Sequence, residues 1–423
     1  MDRQFSAHPD YPFAMSLLQT LQAADFVAYF AGGCVRDALL GHVPKDFDIA
    51  TNATPEAVRR LFGKRRTLAI GASFGVINVL PPHGVQAGPV EVATFRSDGS
   101  YSDGRRPDSV KYGDPQADAQ RRDFTINGLF FDAIHERVID YVEGHADLQA
   151  KIVRAIGKAD DRIAEDKLRM LRAVRFATLP GFSFDPMTLN AVRRYASQII
   201  LVSSERIGAE LRQMLASRQA AVAMQLLATT DLASHLMPME VVAVLESSQT
   251  ERWLDARADP DLPTGLAILL ALATDAHDFI QQKRLLNQLA NNWRLSKQER
   301  DATAEALLSY RLIMEADRLP WSQVQPILIG RHVRAALTVA AAHVHASDHS
   351  ADGIQFARQR LAWSPERLNP EPLIDGDLLR DLGMTPGPDF RRLLASARQA
   401  QLDGQVTTTK QAIELVRMLA AEE

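Results

Sequence analysis

Gly32-Gly33-Cys34-Val35-Arg36-Asp37, followed by Asp46-Phe47-Asp48, is where residue type and spacing point most directly to chemistry. In an extended strand alternate side chains share a face, so Asp46 and Asp48 are expected to project together. Two hard oxygen ligands side by side suit Mg²⁺, which is commonly held by one or two carboxylates and completed by substrate phosphates. The glycine turn lets backbone N–H groups at the start of the next helix approach phosphate oxygens, and Arg36 adds a charge-assisted donor. Taken singly, a Gly-Gly is an ordinary turn and an Asp-x-Asp an ordinary solvated loop. In the order strand, turn, helix, strand they read as a site of two-metal nucleotidyl transfer. One ion activates a 3′-hydroxyl and the other steadies the departing pyrophosphate.

Three further groups add to this. Glu91 lies in the alternating run Val90-Glu91-Val92-Ala93-Thr94-Phe95. It is read as a third metal ligand, a general base for the 3′-hydroxyl, or an outward charge on an amphipathic strand. Arg121-Arg122-Asp123 offers two planar donor forks for phosphate and a carboxylate able to accept from ribose hydroxyls. Glu165 to Phe176 reads as one helix on which Asp166 and Arg169 are i, i+3 neighbours and Arg172 continues the row. An acceptor beside donors matches the edges of C and A, which differ in their donor and acceptor pattern.

The elements that must position these residues follow from periodicity. Residues 11–24 are an amphipathic helix, 27–31 a strand, 35–40 a helix, 47–50 a strand and 54–62 a helix begun by Thr54-Pro55. Further strands are expected at 75–80, 90–95 and 138–142, and 97–118 as a mobile loop rich in Gly, Asp, Ser and Pro. Beyond residue 148 nearly every segment has helical periodicity, with a loop at 344–353 and a turn cluster at 385–388. At 423 residues the chain exceeds one ordinary core. The expected division is a head at 1–145, a neck at 146–215, a body at 216–345 and a tail at 346–423.

Composition narrows the class. The net charge of −4 gives no global nucleic-acid signal, so a basic surface must be local. Arg193-Arg194, Arg206, Arg212, Lys283-Arg284 and Arg391-Arg392 are candidate phosphate contacts. The one cysteine, Cys34, excludes an internal disulfide and a zinc knuckle. No apolar run approaches the roughly 20 residues of a membrane helix, and the first residues lack a secretory pattern, so a cytoplasmic location is expected. His343, His345 and His349 are expected to be solvated, and His277-Asp278 to lack the ligands of a metal-dependent phosphatase.

On these motifs the chain resembles the class II tRNA nucleotidyltransferase and bacterial poly(A) polymerase family. Besides those quoted, the resemblance rests on Gly-Ala-Ser-Phe-Gly-Val-Ile at 71–77, Asp-Gly-Arg-Arg-Pro at 103–107, Arg-Arg-Asp-Phe-Thr-Ile-Asn at 121–127 and Ser204-Glu205-Arg206-Ile207. It implies an α+β fold, with a polymerase-β-like head of mixed sheet and helices followed by an all-helical neck, body and tail. It implies Mg²⁺ on Asp46 and Asp48, phosphates on Gly33, Arg36 and Arg122, and ribose read by Asp123. Asp166 and Arg169 would template the base, with Arg172 and Arg175 completing the pocket. The implied reaction adds nucleotides from CTP and ATP to a tRNA 3′ end, with no membrane or DNA partner. Gly71-Ala72-Ser73 lacks the basic pair of the poly(A) subgroup. Full CCA addition, A-only or CC-only addition and poly(A) synthesis stay open, although the long loop argues against a CC-only enzyme. Gly128, where the family more often has alanine, reads as a minor departure.

Overall fold

A computed structural model describes residues 1–71, 74–99, 110–275, 278–347, 349–384 and 386–421. The head carries strands β1 (Ala28–Ala31), β2 (Asp48–Thr51), β3 (Thr67–Gly71), β4 (Val76–Val79), β5 (Val90–Thr94), β6 (Arg96–Asp98), β7 (Val110–Tyr112), β8 (Phe130–Asp132) and β9 (Arg137–Ile139). Seven of them form one mixed sheet in the order β3-β4-β5-β2-β1-β8-β9, while β6 and β7 pair separately. β2 and β5 run parallel, with Asp48 opposite Glu91 and Ala50 opposite Ala93. The other pairings of this sheet are antiparallel.

The two faces of the sheet are covered differently. On one, Phe30 meets Phe5, Tyr11 and Phe47 at ring-centroid distances of 5.4, 6.2 and 5.3 Å. The helix Tyr11–Ala23 lies here and buries Phe13, Leu17, Leu18 and Leu21, the spacing its sequence carries. Tyr29, one residue before Phe30, points to the other face and meets Phe95 and Phe130 at 6.2 and 6.3 Å. Ala50 belongs to that second cluster, and Asp48, two residues earlier on β2, shares its face.

Several expectations change. β3 and β8 were not legible as strands, and the stretch from 97 to 118 is not simply loop. It contributes to β6 and β7, and Pro115–Gln120 is a helix capped by Asp114. Asp103 to Pro107 and Ala72-Ser73 lie outside the described residues. The region after 148 is not wholly helical, since β10 (Ile152–Val153) pairs in parallel with β11 (Ser183–Phe184). The expected helix from Glu165 to Phe176 is two helices, Ala159–Glu165 and Arg169–Ala177, separated at residues 166–168.

The chain forms two compact units, Met1–Glu210 with Leu226–Leu236, and Leu211–Gln225 with Met237–Glu423. In the second, Leu262–Ala273 and Lys297–Met314 each begin with a reciprocal capping box, from Asp261 and Thr264 and from Ser296 and Glu299. Glu299 also accepts from Arg212 Nε at 2.5 Å, and that bond, against the opposing effect of burial, holds its carboxyl down at about 2. His343 is not solvated. Its ring lies 4.2 Å from Trp253 and 5.8 Å from Tyr310, and burial lowers its imidazole to about 4. His277 lies outside the described residues. Among the described residues no single helix is long and apolar enough to cross a membrane.

Phe30→Ala should remove about 3–5 kcal/mol from the first unit, as expected for truncating a buried aromatic. Denaturant unfolding followed by near-ultraviolet circular dichroism measures this; an unchanged midpoint would show that the aromatic cluster does not anchor the sheet.

Candidate active site

Gly32 ends β1 at φ 68° and ψ −122°, a conformation suited to glycine, and donates its N–H to Leu129 O at 3.0 Å. A Cβ at this position would lie 2.9 Å from Arg122 Nη1. The absent side chain therefore makes room for a guanidinium beside the turn. The helix Gly33–Leu39 follows, and its buried Cys34 donates its thiol to Ala31 O at 3.3 Å. Burial, and then the nearby charge of Asp48, pushes that thiol up to about 12.

Asp46 sits in the bend before β2, so the strand pleat alone does not place it beside Asp48. Asp46 and Glu91 are exposed and Asp48 is half-buried. Burial, followed by the negative charges of Asp46 and Glu91, pushes the Asp48 carboxyl up to about 7 against the pull of Arg122. The charges of Asp46 and Glu91 thus both bear on Asp48, and the register of β2 and β5 sets Asp48 beside Glu91. A donor set of hard oxygens with surplus negative charge is chemically suited to a divalent cation.

Beside the carboxylates lies a floor of arginines. Asp118, 1% exposed, accepts from Arg121 Nε and Nη2 at 2.9 and 2.6 Å, and from Arg122 Nε and Nη2 at 3.2 and 2.9 Å. Burial alone would raise its carboxyl, but the two guanidiniums outweigh it and hold it below its ordinary range. Arg122 Nη1 also donates to Asn127 O at 3.1 Å, and its guanidinium carbon lies 4.9 Å from the Phe130 ring centre. Arg36 donates to Asn127 Oδ1 at 2.7 Å and through Nε to Asp37 Oδ1 at 2.8 Å.

The second part of the floor comes from Arg169–Ala177. Arg172 Nε donates to Asp123 Oδ2 at 2.6 Å, while Asn127 Nδ2 and Phe124 N–H take Asp123 Oδ1 at 3.1 and 2.8 Å. Burial opposes ionisation of Asp123, yet Arg172 and Asn127 hold its carboxyl at about 2. Arg175 Nε donates to buried Glu210 at 2.6 Å. The guanidinium carbons of Arg36, Arg172 and Arg175 surround the Phe176 ring at 5.0, 5.5 and 4.3 Å. Asp166 is bound by both terminal nitrogens of Arg206, at 3.1 and 2.7 Å, and caps Leu168 N–H at 3.0 Å. Arg169 is buried and donates to Glu165 Oε2 at 2.6 Å, Arg162 O at 2.9 Å and Arg121 O at 3.2 Å.

The structure therefore brings Asp46, Asp48, Glu91 and Arg122 into one neighbourhood, and Arg36, Arg172 and Arg175 into another around Phe176. It does not pair Asp166 with Arg169 through their side chains, because the intervening break sends each to its own partner. Asp118, Asn127, Phe176 and Glu210 went unrecognised from sequence. A helical reading of 115–120 would have revealed Asp118 as an i, i+3 and i, i+4 partner of Arg121 and Arg122. Of the proposed RNA contacts, Arg206 is taken by Asp166, Arg212 by Glu299, Arg194 by Asp160 and Arg284 by Glu240. Gly128 is more than a minor departure: a Cβ there would lie 2.5 Å from Val142 Cγ2, which fills the space an alanine would need.

These features are those of a nucleotidyltransferase, and residues 28–154 match the poly A polymerase head domain, with residues 181–241 matching a probable RNA- and SrmB-binding site of polymerase A. The likeness extends well beyond those segments. The CCA-adding enzyme of Geobacillus kaustophilus is 32% identical over 419 residues, covering 96% of each chain, and that of Lactiplantibacillus plantarum is 32% identical over 415, covering 97% of each. The chain belongs to the family of CCA-adding enzymes. Among solved structures, the Bacillus stearothermophilus CCA-adding enzyme in complex with CTP superposes with a TM-score of 0.79 at 27% identity, over 98% of this chain and 99% of that one. The Thermotoga maritima CCA-adding enzyme complexed with tRNA shares the fold, with a TM-score of 0.64 at 19% identity over 100% and 98% of the two chains.

The crowding around Asp48 has a pH signature. A carboxyl whose folded pKa is about 7 against an ordinary 3.8 keeps its proton longer in the folded state. In cation-free protein its contribution to stability is therefore full below 3.8 and is lost as pH rises towards about 7. Asp48→Asn should melt higher than the wild type at pH 8 and lose that advantage at pH 4. Parallel melting curves across this range would remove the electrostatic assignment.

Proposed function

We propose that this chain adds C, C and A, from CTP and ATP, to the 3′ end of tRNA without a nucleic-acid template, releasing pyrophosphate. The observation that carries the reading is the extent of the likeness: CCA-adding enzymes match head and helical remainder together, over 96% of the chain. In this reading the 3′-oxygen of the RNA bonds to the α-phosphorus, the bond to the bridging oxygen breaks, and the hydroxyl proton leaves. We further read the chain as cytoplasmic, with a head at 1–145, a neck at 146–215, a body at 216–345 and a tail at 346–423.

Members of this enzyme class are typically metal-dependent, and the surplus of carboxylate charge around Asp48 favours Mg²⁺ as the ion, held by Asp46 and Asp48. When bound, it would polarise phosphoryl oxygens and acidify the attacking hydroxyl. Glu91, in register with Asp48, serves as a further oxygen donor or as the base that receives the hydroxyl proton. Gly32 and Gly33 let the backbone approach the triphosphate, and Arg36 and Arg122 counter its charge. Asp123 would share its oxygens between Arg172 and a ribose hydroxyl. Asp166 and Arg169 present the donor and acceptor set for the base edge by exchanging their present partners Arg206 and Glu165, with Arg172 and Arg175 closing the pocket.

Transcripts ending before the CCA, after C and after CC, given labelled CTP and ATP, test the reading. A completed CCA on all three supports it. Long A tails would instead show a poly(A) polymerase, and addition limited to A or to CC a partial enzyme. Asp46→Ala and Asp48→Ala should each reduce incorporation to background, and activity in both would remove the metal assignment. Arg169→Ala should relax the choice between CTP and ATP by about tenfold, the scale of one bidentate base contact, while triphosphate affinity changes less. Unaltered fidelity would end the templating role.

A further inference from the structure

Asp118 stands outside the residues that meet the nucleotide in the reading above, yet more of the site's arginine geometry converges on it than on any other carboxylate described here. It is 1% exposed, and each of its oxygens is used by a different arginine: Oδ1 by Arg121 and Oδ2 by Arg122. Arg96 N–H, at the start of β6, also donates to Oδ1 at 3.4 Å. The helix that carries Asp118 is fixed at its start by Asp114, which accepts from Ala117 N–H at 2.8 Å. One buried side chain therefore ties the start of β6 to the arginine pair.

Arg122 has competing attractions. Its guanidinium feels the negative charge of Asp48. It also lies in the space that Gly32 leaves open, where a Cβ would be 2.9 Å from Nη1. A guanidinium not held on Asp118 would be drawn towards the carboxylate cluster and away from an incoming anion. We propose that Asp118 is a positioning residue for nucleotide addition, acting through Arg122 to keep that guanidinium turned towards the triphosphate. This rests on the phosphate-binding role given to Arg122 above. The two-donor grip on one oxygen matters because Arg recognises phosphate through a planar fork whose orientation decides how many donors reach it.

The test is a kinetic mutant cycle on the full chain with CC-ended tRNA and ATP, and with tRNA lacking CCA and CTP. Asp118→Asn keeps the shape and removes the charge. It should raise KM for both nucleotides at least about tenfold, within the roughly hundredfold range of a misplaced positioning group, and leave KM for tRNA unchanged. Arg122→Ala should raise nucleotide KM at least as much, and adding Asp118→Asn to it should change KM no further. If Arg122→Ala leaves nucleotide KM unaltered, the phosphate role of Arg122 fails. If Arg122→Ala raises it but Asp118→Asn does not, or if the two effects add, the positioning role of Asp118 is overturned. Should Asp118→Asn fail to fold, Asp118→Glu keeps the charge and displaces it by one methylene. The same pattern in smaller measure supports the proposal, and wild-type nucleotide KM overturns it.

Discussion

Buried carboxylates gripping arginines are what the rest of the first unit depends on. Asp118, Asp123 and Glu210 are each at least nine-tenths buried, and each is bound to guanidinium nitrogen at 2.6 Å at its shortest contact. Removing one partner from such a pair leaves a stranded charge, at a cost of about 3–5 kcal/mol. The arginines are therefore fixed before any ligand arrives. Donors fixed in advance need not reorganise as charge develops, which is where electrostatic catalysis is most effective. Phe176 gives this floor its compactness. Three guanidiniums meet around its ring, where like charges would otherwise push one another apart.

The two halves of the site are opposite in electrostatic condition. The basic half is internally satisfied, with each buried acid matched by arginine. The acidic half is not: Asp48 lies beside Asp46 and Glu91, with Arg122 the opposing charge. The pairing of β2 with β5 creates that imbalance by setting Asp48 directly across from Glu91. A stable protein tolerates such crowding where function uses it. Arg122 belongs to both halves, which is why its orientation matters to each.

The chemistry-bearing residues were legible because their types are unusual in combination. A glycine turn, an Asp-x-Asp and an Arg-Arg-Asp in order suffice to suggest nucleotidyl transfer, and the head elements that were expected, the strand at 138–142 apart, lie within a residue or two of those formed. What escaped notice depends on distant partners. Helical periodicity runs unbroken from Glu165 to Phe176, but Asp166 is drawn to Arg206, 40 residues away, and the helix breaks there. β8 is buried on both faces and so shows no alternation. Arg206 and Arg212 looked like free cations because nothing local marks Asp166 or Glu299 as their partners. His343 looked solvated because Trp253 and Tyr310 are far away in the chain.

Cys34 is a chemical reporter of the head's integrity. It is the one thiol in the chain, 1% exposed, with its sulfur bonded to Ala31 O and its pKa at about 12. Thiolate is the reactive form, so this group is protected twice, by lack of access and by lack of ionisation. It lies in the helix that follows the glycine turn, near the charge of Asp48. An alkylating reagent can then mark it only when the head opens, and the rate of that labelling becomes a clock for local unfolding at the very floor of the site.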